Sequence, residues 1–257
     1  MVIPSRQSEA RTPNSKLKSR PRRKKETNCH WLARVLDDGE KPEGWICLIG
    51  GTNLTDFRLR VAQSHVRSDL LPSFWSHAAI VTEAKGASPQ QWRLHEVPLE
   101  PAGGFQDVPS GNGVQEGSLE NYDDSGRYPN FALIDFHIDP REIRAAIDRF
   151  SHQRALIDVP GLMVEWLAFA WGAGERGNPL LAYVGMPSAA FVEGVFALAG
   201  LELTPGLSSR SSCPEAIWQG AKWWHGFYAS EATAIEPPAG FYVIGQEAAA
   251  VVAEPET

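Results

Sequence analysis

The stretch that decides the fold is "FWSHAAIVTE", residues 74–83. Side chains alternate between the two faces of a strand, and both faces here are largely apolar, with Trp75 and His77 predicted to share one of them. This pattern is typical of a strand that is covered on both sides. His77 is the exception, because it places an ionisable ring among core residues. Such a histidine is more often a hydrogen-bonded structural residue than a catalyst, so its neighbours decide its role.

Further short apolar runs predict strands on either side of this one. They are "GWICLIGG" (44–51), "QWRLHEV" (91–97), "FALIDF" (131–136) and "GFYVIG" (240–245). The turn-rich "KGASPQ" (85–90) joins the His77 strand to the next and predicts an antiparallel hairpin. Residues 100–130 are rich in Gly, Pro, Asn, Asp and Ser and predict a long loop, either irregular or functional as a lid over His77.

Four later segments have helical patterns, at 139–153, 159–171, 187–201 and 213–224. The first begins with Asp139 as N-cap and Pro140 at the first helical position, two common start signals. The third, "PSAAFVEGVFALAGL", has the clearest apolar stripe and stops at Gly200. Strands mixed with helices, and no internal repeat, predict an α+β fold.

The charge of the chain is unevenly distributed. Residues 1–25 hold nine Lys and Arg and one acid, which leaves 15 basic and 30 acidic residues for the rest of the chain. We therefore predict a disordered basic tail over 1–26 and a single domain over 27–257, large enough for a sizeable core. The tail either contacts anionic lipid or nucleic acid, folds back on the acidic body, or serves only as a solubilising extension.

Several classes of protein are disfavoured by composition. The longest apolar stretches, 159–173 and 180–203, are interrupted by acids or proline, so no transmembrane segment is expected, and the basic run lacks the apolar core of a secretory signal. Three scattered cysteines without a CxxC pair fit a reducing, cytoplasmic location rather than a disulfide framework or zinc site. The histidines show no metal-ligand spacing, so neither a metal nor a cofactor is expected.

If His77 is a catalytic base, it needs a nucleophile and a third polar group to orient its ring. The amino end of a buried helix is the best place for the nucleophile, because its free N–H groups stabilise negative charge. The apolar stripe of the 187–201 helix, traced back one turn, reaches Ser188. Glu96, on the strand predicted to pair with the His77 strand, is within reach as the third group.

The ordered set "GWICLIGG", "WSHAAIV", "RLHEV" and "SAAFVEGVFALAGL" resembles the YiiX-like permuted papain (permuted NlpC/P60) hydrolases, over roughly residues 44–220. The related lecithin retinol acyltransferases share the order of histidine before nucleophile. The resemblance implies a small antiparallel sheet or half-barrel packed against helices. It also implies that His77 is the base, that Glu96 orients it and that Ser188 occupies the position of the nucleophilic cysteine. The substrates it implies are amide or ester bonds of peptides or lipid acyl groups.

The sequence departs from this family at two places. Ser188 replaces a cysteine, and a serine hydroxyl is harder to deprotonate than a thiol. Trp45 follows Gly44 where the family has an acid. Three alternatives follow: Ser188 is a working nucleophile; the cleft is inactive and serves as a binding or partner-recognition module; or the thiol of Cys213, at the start of the next helix, is the nucleophile.

Overall fold

The computed structural model describes residues 17–36, 41–84, 88–100, 111–230 and 236–245. Seven strands within this part of the chain form one sheet. They are β1 (Leu17–Ser19), β2 (Ile46–Gly50), β3 (His77–Glu83), β4 (Arg93–Glu96), β5 (Gln115–Ser118), β6 (Asn130–Asp135) and β7 (Ala239–Val243). The strand order is β1-β7-β6-β2-β3-β4-β5. Each neighbouring pair is antiparallel except β1 and β7, which are parallel, so the sheet is mixed.

Six α-helices lie within the same described residues. They are α1 (Asn28–Val35), α2 (Leu54–Ala62), α3 (Pro140–His152), α4 (Val159–Ala170), α5 (Pro187–Leu198) and α6 (Pro214–Ser230). The start predicted for α3 is confirmed, since the Asp139 side chain accepts a hydrogen bond from the Arg141 amide and Pro140 is the first helical residue. The sheet and helices confirm the predicted α+β class.

Both faces of the central strands are covered, as the apolar pattern predicted. Ile46 and Leu48 on β2 face one core cluster, which they share with side chains of α3, α4, α5 and α6. Cys47 and Ile49, which alternate with them, face a second cluster that contains Trp31 of α1. The sheet is therefore the middle layer, with most of the helices on one side and α1 on the other.

One prediction about the deciding stretch was wrong. Trp75 does not share a face with His77, because β3 begins only at His77 and the chain bends at Ser76. The Trp75 ring instead packs edge-on against Trp218 of α6 at a centroid distance of 5.3 Å. The bend is held by the Ser76 amide, which donates to the Ile49 carbonyl at 2.8 Å. The bend leaves the Ser76 hydroxyl in contact with the Asp56 carboxyl group.

The prediction of a disordered tail over 1–26 was wrong for residues 17–26, which belong to the fold. Leu17 pairs with Gly240 in the parallel ladder, and the Arg20 amide donates to the Tyr242 carbonyl at 2.9 Å. Backbone pairing at a sheet edge needs no apolar periodicity, so composition did not reveal it. The rest of the predicted tail, residues 1–16, lies outside the described residues.

The segment predicted as a long loop contains β5, which pairs with β4 so that Leu94 lies opposite Gly117. Its sequence, "QEGS", has no apolar alternation, which explains why it was not predicted as a strand. Residues 101–110 of the segment lie outside the described residues. Among the described residues, no helix has both the length and the apolar character needed to cross a membrane.

Candidate functional site

A cleft opens at the start of β3 and contains two of the three predicted site residues. His77 and Ser188 both line it, together with Asp56, Tyr122 and Arg127 from other parts of the chain. The cleft is open to solvent and encloses about 40 Å³ of free space. The fold therefore brings residues far apart in sequence to one concave place, as a site for a small substrate group requires.

His77 is bound to the third predicted residue, Glu96. His77 Nε2 lies 2.7 Å from Glu96 Oε2, and both side chains are buried. The register explains this contact, because Glu96 pairs with Ala79 and so lies on the strand next to His77, one step along the same face. A carboxylate oxygen accepts hydrogen bonds, so Nε2 is the donor in this pair and the lone pair of the neutral ring is on Nδ1. The Nδ1 atom makes no hydrogen bond to a described residue, so it is available to a partner in the cleft.

Tyr122, from the segment after β5, completes this group. Its hydroxyl donates to the same Glu96 Oε2 at 2.7 Å, and its ring stacks on the His77 ring at a centroid distance of 5.9 Å. Burial, followed by the charge of Glu96, raises the pKa of Tyr122 well above its ordinary value, so the hydroxyl remains a donor. Tyr122 therefore holds both the carboxylate and the imidazole in place.

Gly117 on β5 is what lets the Glu96 carboxylate lie so close to its neighbouring strand. A Cβ atom at position 117 would lie 2.1 Å from Glu96 Oε1. Any larger residue would displace the carboxylate from His77. The glycine that looked like a turn signal in the sequence is thus part of the support of the site.

Ser188 is the second residue of α5, after Pro187. The first amides of a helix have no intrahelical acceptor, and those of Ser188 and Ala189 make no hydrogen bond to a described residue. The Ser188 side chain is buried, and its hydroxyl is likewise not bonded to a described residue. A hydroxyl at the positive end of a helix, beside two unused N–H donors, is suited to reactions in which negative charge develops on oxygen.

The chain just before Ser188 is fixed by its neighbours. The Gly185 amide donates to the Arg210 carbonyl at 2.7 Å, and the Met186 amide donates to the Ser212 carbonyl at 2.8 Å. The indole of Trp166 donates to the Gly185 carbonyl at 2.7 Å. These bonds set where α5 begins and therefore where Ser188 lies.

Asp56 is a cleft residue that the sequence analysis missed. The Ser76 hydroxyl donates to Asp56 Oδ1 at 2.6 Å, and the Gly51 amide donates to the Ser76 hydroxyl oxygen at 3.1 Å. Burial raises the pKa of Asp56, while Ser76 and His77 act in the opposite direction. Asn53, which caps α2 by accepting from the Asp56 amide, was the available signal, because Asn is one of the preferred residues at the start of a helix.

The alternative nucleophile, Cys213, is not in the cleft. Its side chain is buried in the main core cluster, and burial raises the pKa of the thiol to about 12. The other two thiols, Cys29 and Cys47, are also buried, and burial raises the pKa of each. A buried thiol held in its protonated form is inert, so the described geometry favours Ser188 over Cys213.

The described part of the chain contains no group of three or more His, Cys, Asp or Glu side chains placed to hold a metal ion. No protein-family model matches the sequence, and no curated protein matches it either. A function for this chain is therefore inferred from the residues of the cleft.

Proposed function

We propose that this chain is a hydrolase or acyltransferase with a permuted papain-like (NlpC/P60) fold that acts on amide or ester bonds of peptide or lipid acyl substrates. One observation supports it most: His77, paired with Glu96 through Nε2, shares a cleft with a serine at the amino end of α5. A base, an orienting acid and a hydroxyl beside free amides are the parts that acyl transfer needs.

The proposed reaction uses each of these groups once. Ser188 Oγ attacks the acyl carbon as its proton passes to His77 Nδ1, and Glu96 stabilises the imidazolium that forms. The amides of Ser188 and Ala189 donate to the oxyanion of the tetrahedral intermediate. The proton on Nδ1 then goes to the departing amine or alkoxide. A water molecule or an acceptor alcohol repeats the sequence on the acyl-enzyme and releases Ser188. The hydrogen bond between nucleophile and base often tightens only when the substrate binds.

A fluorophosphonate probe tests this proposal without a known substrate. We expect a single phosphonyl adduct, located on Ser188 by peptide mass spectrometry, with the adduct lost in Ser188→Ala and strongly reduced in His77→Gln. Ser151→Ala is the matched control, because Ser151 lies on α3 and does not line the cleft. An adduct on any other serine, or labelling that does not depend on His77, would contradict the proposal.

A serine at position 188, where the resembling family has a cysteine, favours one alternative function. In it, the chain is a catalytically inactive binding or partner-recognition module that uses the same cleft. A hydroxyl needs a stronger base than a thiol, and the Ser188 hydroxyl is not bonded to His77. Here we expect no phosphonyl adduct on the natural protein. Ser188→Cys would nevertheless react with iodoacetamide faster than free N-acetylcysteine at neutral pH, because His77 and the helix end lower the pKa of the thiol below about 8.5. Labelling of Ser188 by the phosphonate would exclude this alternative.

A further inference from the structure

Arg127 is the single Lys or Arg among the described residues that line the cleft. Its side chain is exposed, and no described carboxylate lies within ion-pair distance of it. Acidic residues outnumber basic ones two to one outside the first 25 residues, so an unpaired cation is unusual in this body. A guanidinium carries five N–H donors, and those of Arg127 make no hydrogen bond to a described residue.

The position of Arg127 is nevertheless well defined. Its carbonyl accepts hydrogen bonds from the Thr52 amide at 3.0 Å and the Thr52 hydroxyl at 3.2 Å. Its amide donates to Asp124 Oδ1 at 3.3 Å, and its guanidinium lies 5.2 Å from the centroid of the Tyr128 ring. Stacking on an aromatic ring orients a guanidinium and leaves its edge donors available. The donors are therefore held at the cleft without being used there.

The two carboxyl groups that line the cleft, Asp56 and Glu100, have hydrogen-bond partners of their own. Asp56 accepts from the Ser76 hydroxyl. Glu100 Oε1 accepts from the Thr55 hydroxyl at 3.0 Å and from the Trp171 indole at 3.0 Å. Neither is within ion-pair distance of Arg127, although the charge of Arg127 acts at longer range to lower the pKa of Asp56. The guanidinium therefore has no direct carboxylate contact among the described residues of the cleft.

We infer that Arg127 binds a carboxylate on the substrate, next to the acyl group that reaches Ser188. This inference rests on the proposed function and narrows its substrate class to acyl compounds that carry a negative group near the bond to be broken. A planar guanidinium matches the two oxygens of a carboxylate, and such charge-assisted pairs are the strong ones among hydrogen bonds.

A pair of alkylating reagents that differ in charge provides the test. Iodoacetate carries a carboxylate, whereas iodoacetamide is neutral, and both attack the same thiol. In Ser188→Cys we expect the iodoacetate-to-iodoacetamide rate ratio to be about tenfold higher than in the same variant with Arg127→Gln, as for opposite charges a few ångströms apart. A change in the pKa of the thiol alters both rates alike, so the ratio isolates the effect of Arg127 on the anion.

Arg149→Gln in the Ser188→Cys background is the matched control. Arg149 is exposed on α3, bonds to Gln153 and does not line the cleft, so its loss should leave the ratio unchanged. A ratio that is indifferent to Arg127→Gln, with a thiol that is still fast, would overturn the inference while leaving the proposed function standing. A thiol that is slow toward both reagents would instead count against the proposed function.

Binding of an anion by Arg127 can also be measured without a reactive nucleophile, which matters if the Ser188→Cys thiol is slow toward both reagents. The natural protein is titrated with N-acetylglycine, with its neutral amide and with methyl phosphate, while the side-chain Nε–H resonance of Arg127 is followed by NMR. We expect a saturable shift with N-acetylglycine and none with the amide. No shift with either anion would overturn the inference, and tighter binding of methyl phosphate would assign the group as phosphate instead of carboxylate.

Discussion

His77 Nε2 lies 2.7 Å from Glu96 Oε2 across two neighbouring strands, and both side chains are buried. This pair gives His77 a structural role alongside the proposed catalytic one. Removing one partner of a buried pair leaves the other without compensation, which costs more than the pair itself is worth. Two substitutions at His77 separate these roles, because alanine removes the donor to Glu96 and glutamine retains one.

We predict that His77→Ala destabilises the protein by about 3 kcal/mol, because Glu96 is left buried with Tyr122 as its remaining donor. His77→Gln keeps a donor near Glu96 and should cost about 1 kcal/mol. The free energy of unfolding from urea titrations measures both. Equal stability of the natural protein and His77→Ala would show that the pair does not form in solution.

Tyr122→Phe should lower the free energy of unfolding by about 1–2 kcal/mol, because it removes one hydrogen bond to a buried carboxylate. Tyr128→Phe is the matched control. Its ring packs edge-on against Tyr122 at 5.1 Å, but its hydroxyl makes no hydrogen bond to a described residue. We expect this second variant to change stability by less than about 0.5 kcal/mol. A similar loss in both variants would assign the effect to ring packing.

The sequence was informative where periodicity and pairing rules apply. His77 and Glu96 were predicted together because a hairpin places alternate residues of two strands side by side. Ser188 followed from the apolar stripe of its helix. Tyr122 and Arg127 could not be predicted, because they belong to a polar segment whose path depends on tertiary contacts. β1 was missed for a related reason: it is stabilised by backbone pairing with β7 and not by an apolar face.

Arg22 tests the corrected boundary of the domain. Its guanidinium donates to the carbonyl of Pro129 and to the Asn28 side chain, and burial lowers its pKa to about 10. Arg22→Ala should therefore lower the free energy of unfolding by about 2 kcal/mol, as for loss of buried charged hydrogen bonds. Arg23→Ala, at an exposed neighbouring position, is the control and should change stability little. An Arg22→Ala variant that melts like the natural protein would restore the tail boundary at residue 26.

His137 should give the protein a pH dependence near neutrality. Burial lowers its pKa, but the hydrogen bond and charge of Asp135 and the carbonyl of Pro237 outweigh burial and raise it to about 8. Because the folded pKa exceeds the unfolded value of about 6.5, this stabilisation is complete below pH 6.5 and is lost as the pH rises through 8.

We expect about 1–2 kcal/mol of stability to depend on this group, and His137→Asn to remove the slope between pH 6.5 and 8. Asparagine suits the position because the backbone φ there is 58°. His65→Asn, at an exposed site, should leave the slope in place. Unfolding titrations at a series of pH values measure the slope, and a natural protein with no slope in this window would contradict the ion pair with Asp135.

Glu193 on α5 should produce a second loss of stability with rising pH, in a lower pH window than that of His137. Burial raises its pKa to about 6, although hydrogen bonds from the hydroxyls of Thr204 and Ser212 act against the shift. A carboxyl group whose folded pKa is raised holds its proton more tightly in the folded state. Its contribution to stability therefore falls as the pH rises from about 4.5 to 6, by about 2 kcal/mol in total, and stays low above that.

Glu193→Gln retains an oxygen acceptor for both hydroxyls and carries no charge, so we expect it to be more stable than the natural protein at pH 7 and to lack the slope between pH 4.5 and 6. Glu193→Leu is uncharged, like Glu193→Gln, but it leaves the hydroxyls of Thr204 and Ser212 without their acceptor. Because the Ser212 carbonyl holds the Met186 amide just before α5, this variant should also slow the labelling of Ser188 by the fluorophosphonate. Labelling that is equal in the Gln and Leu variants would show that the position of Ser188 does not depend on the anchor at Ser212.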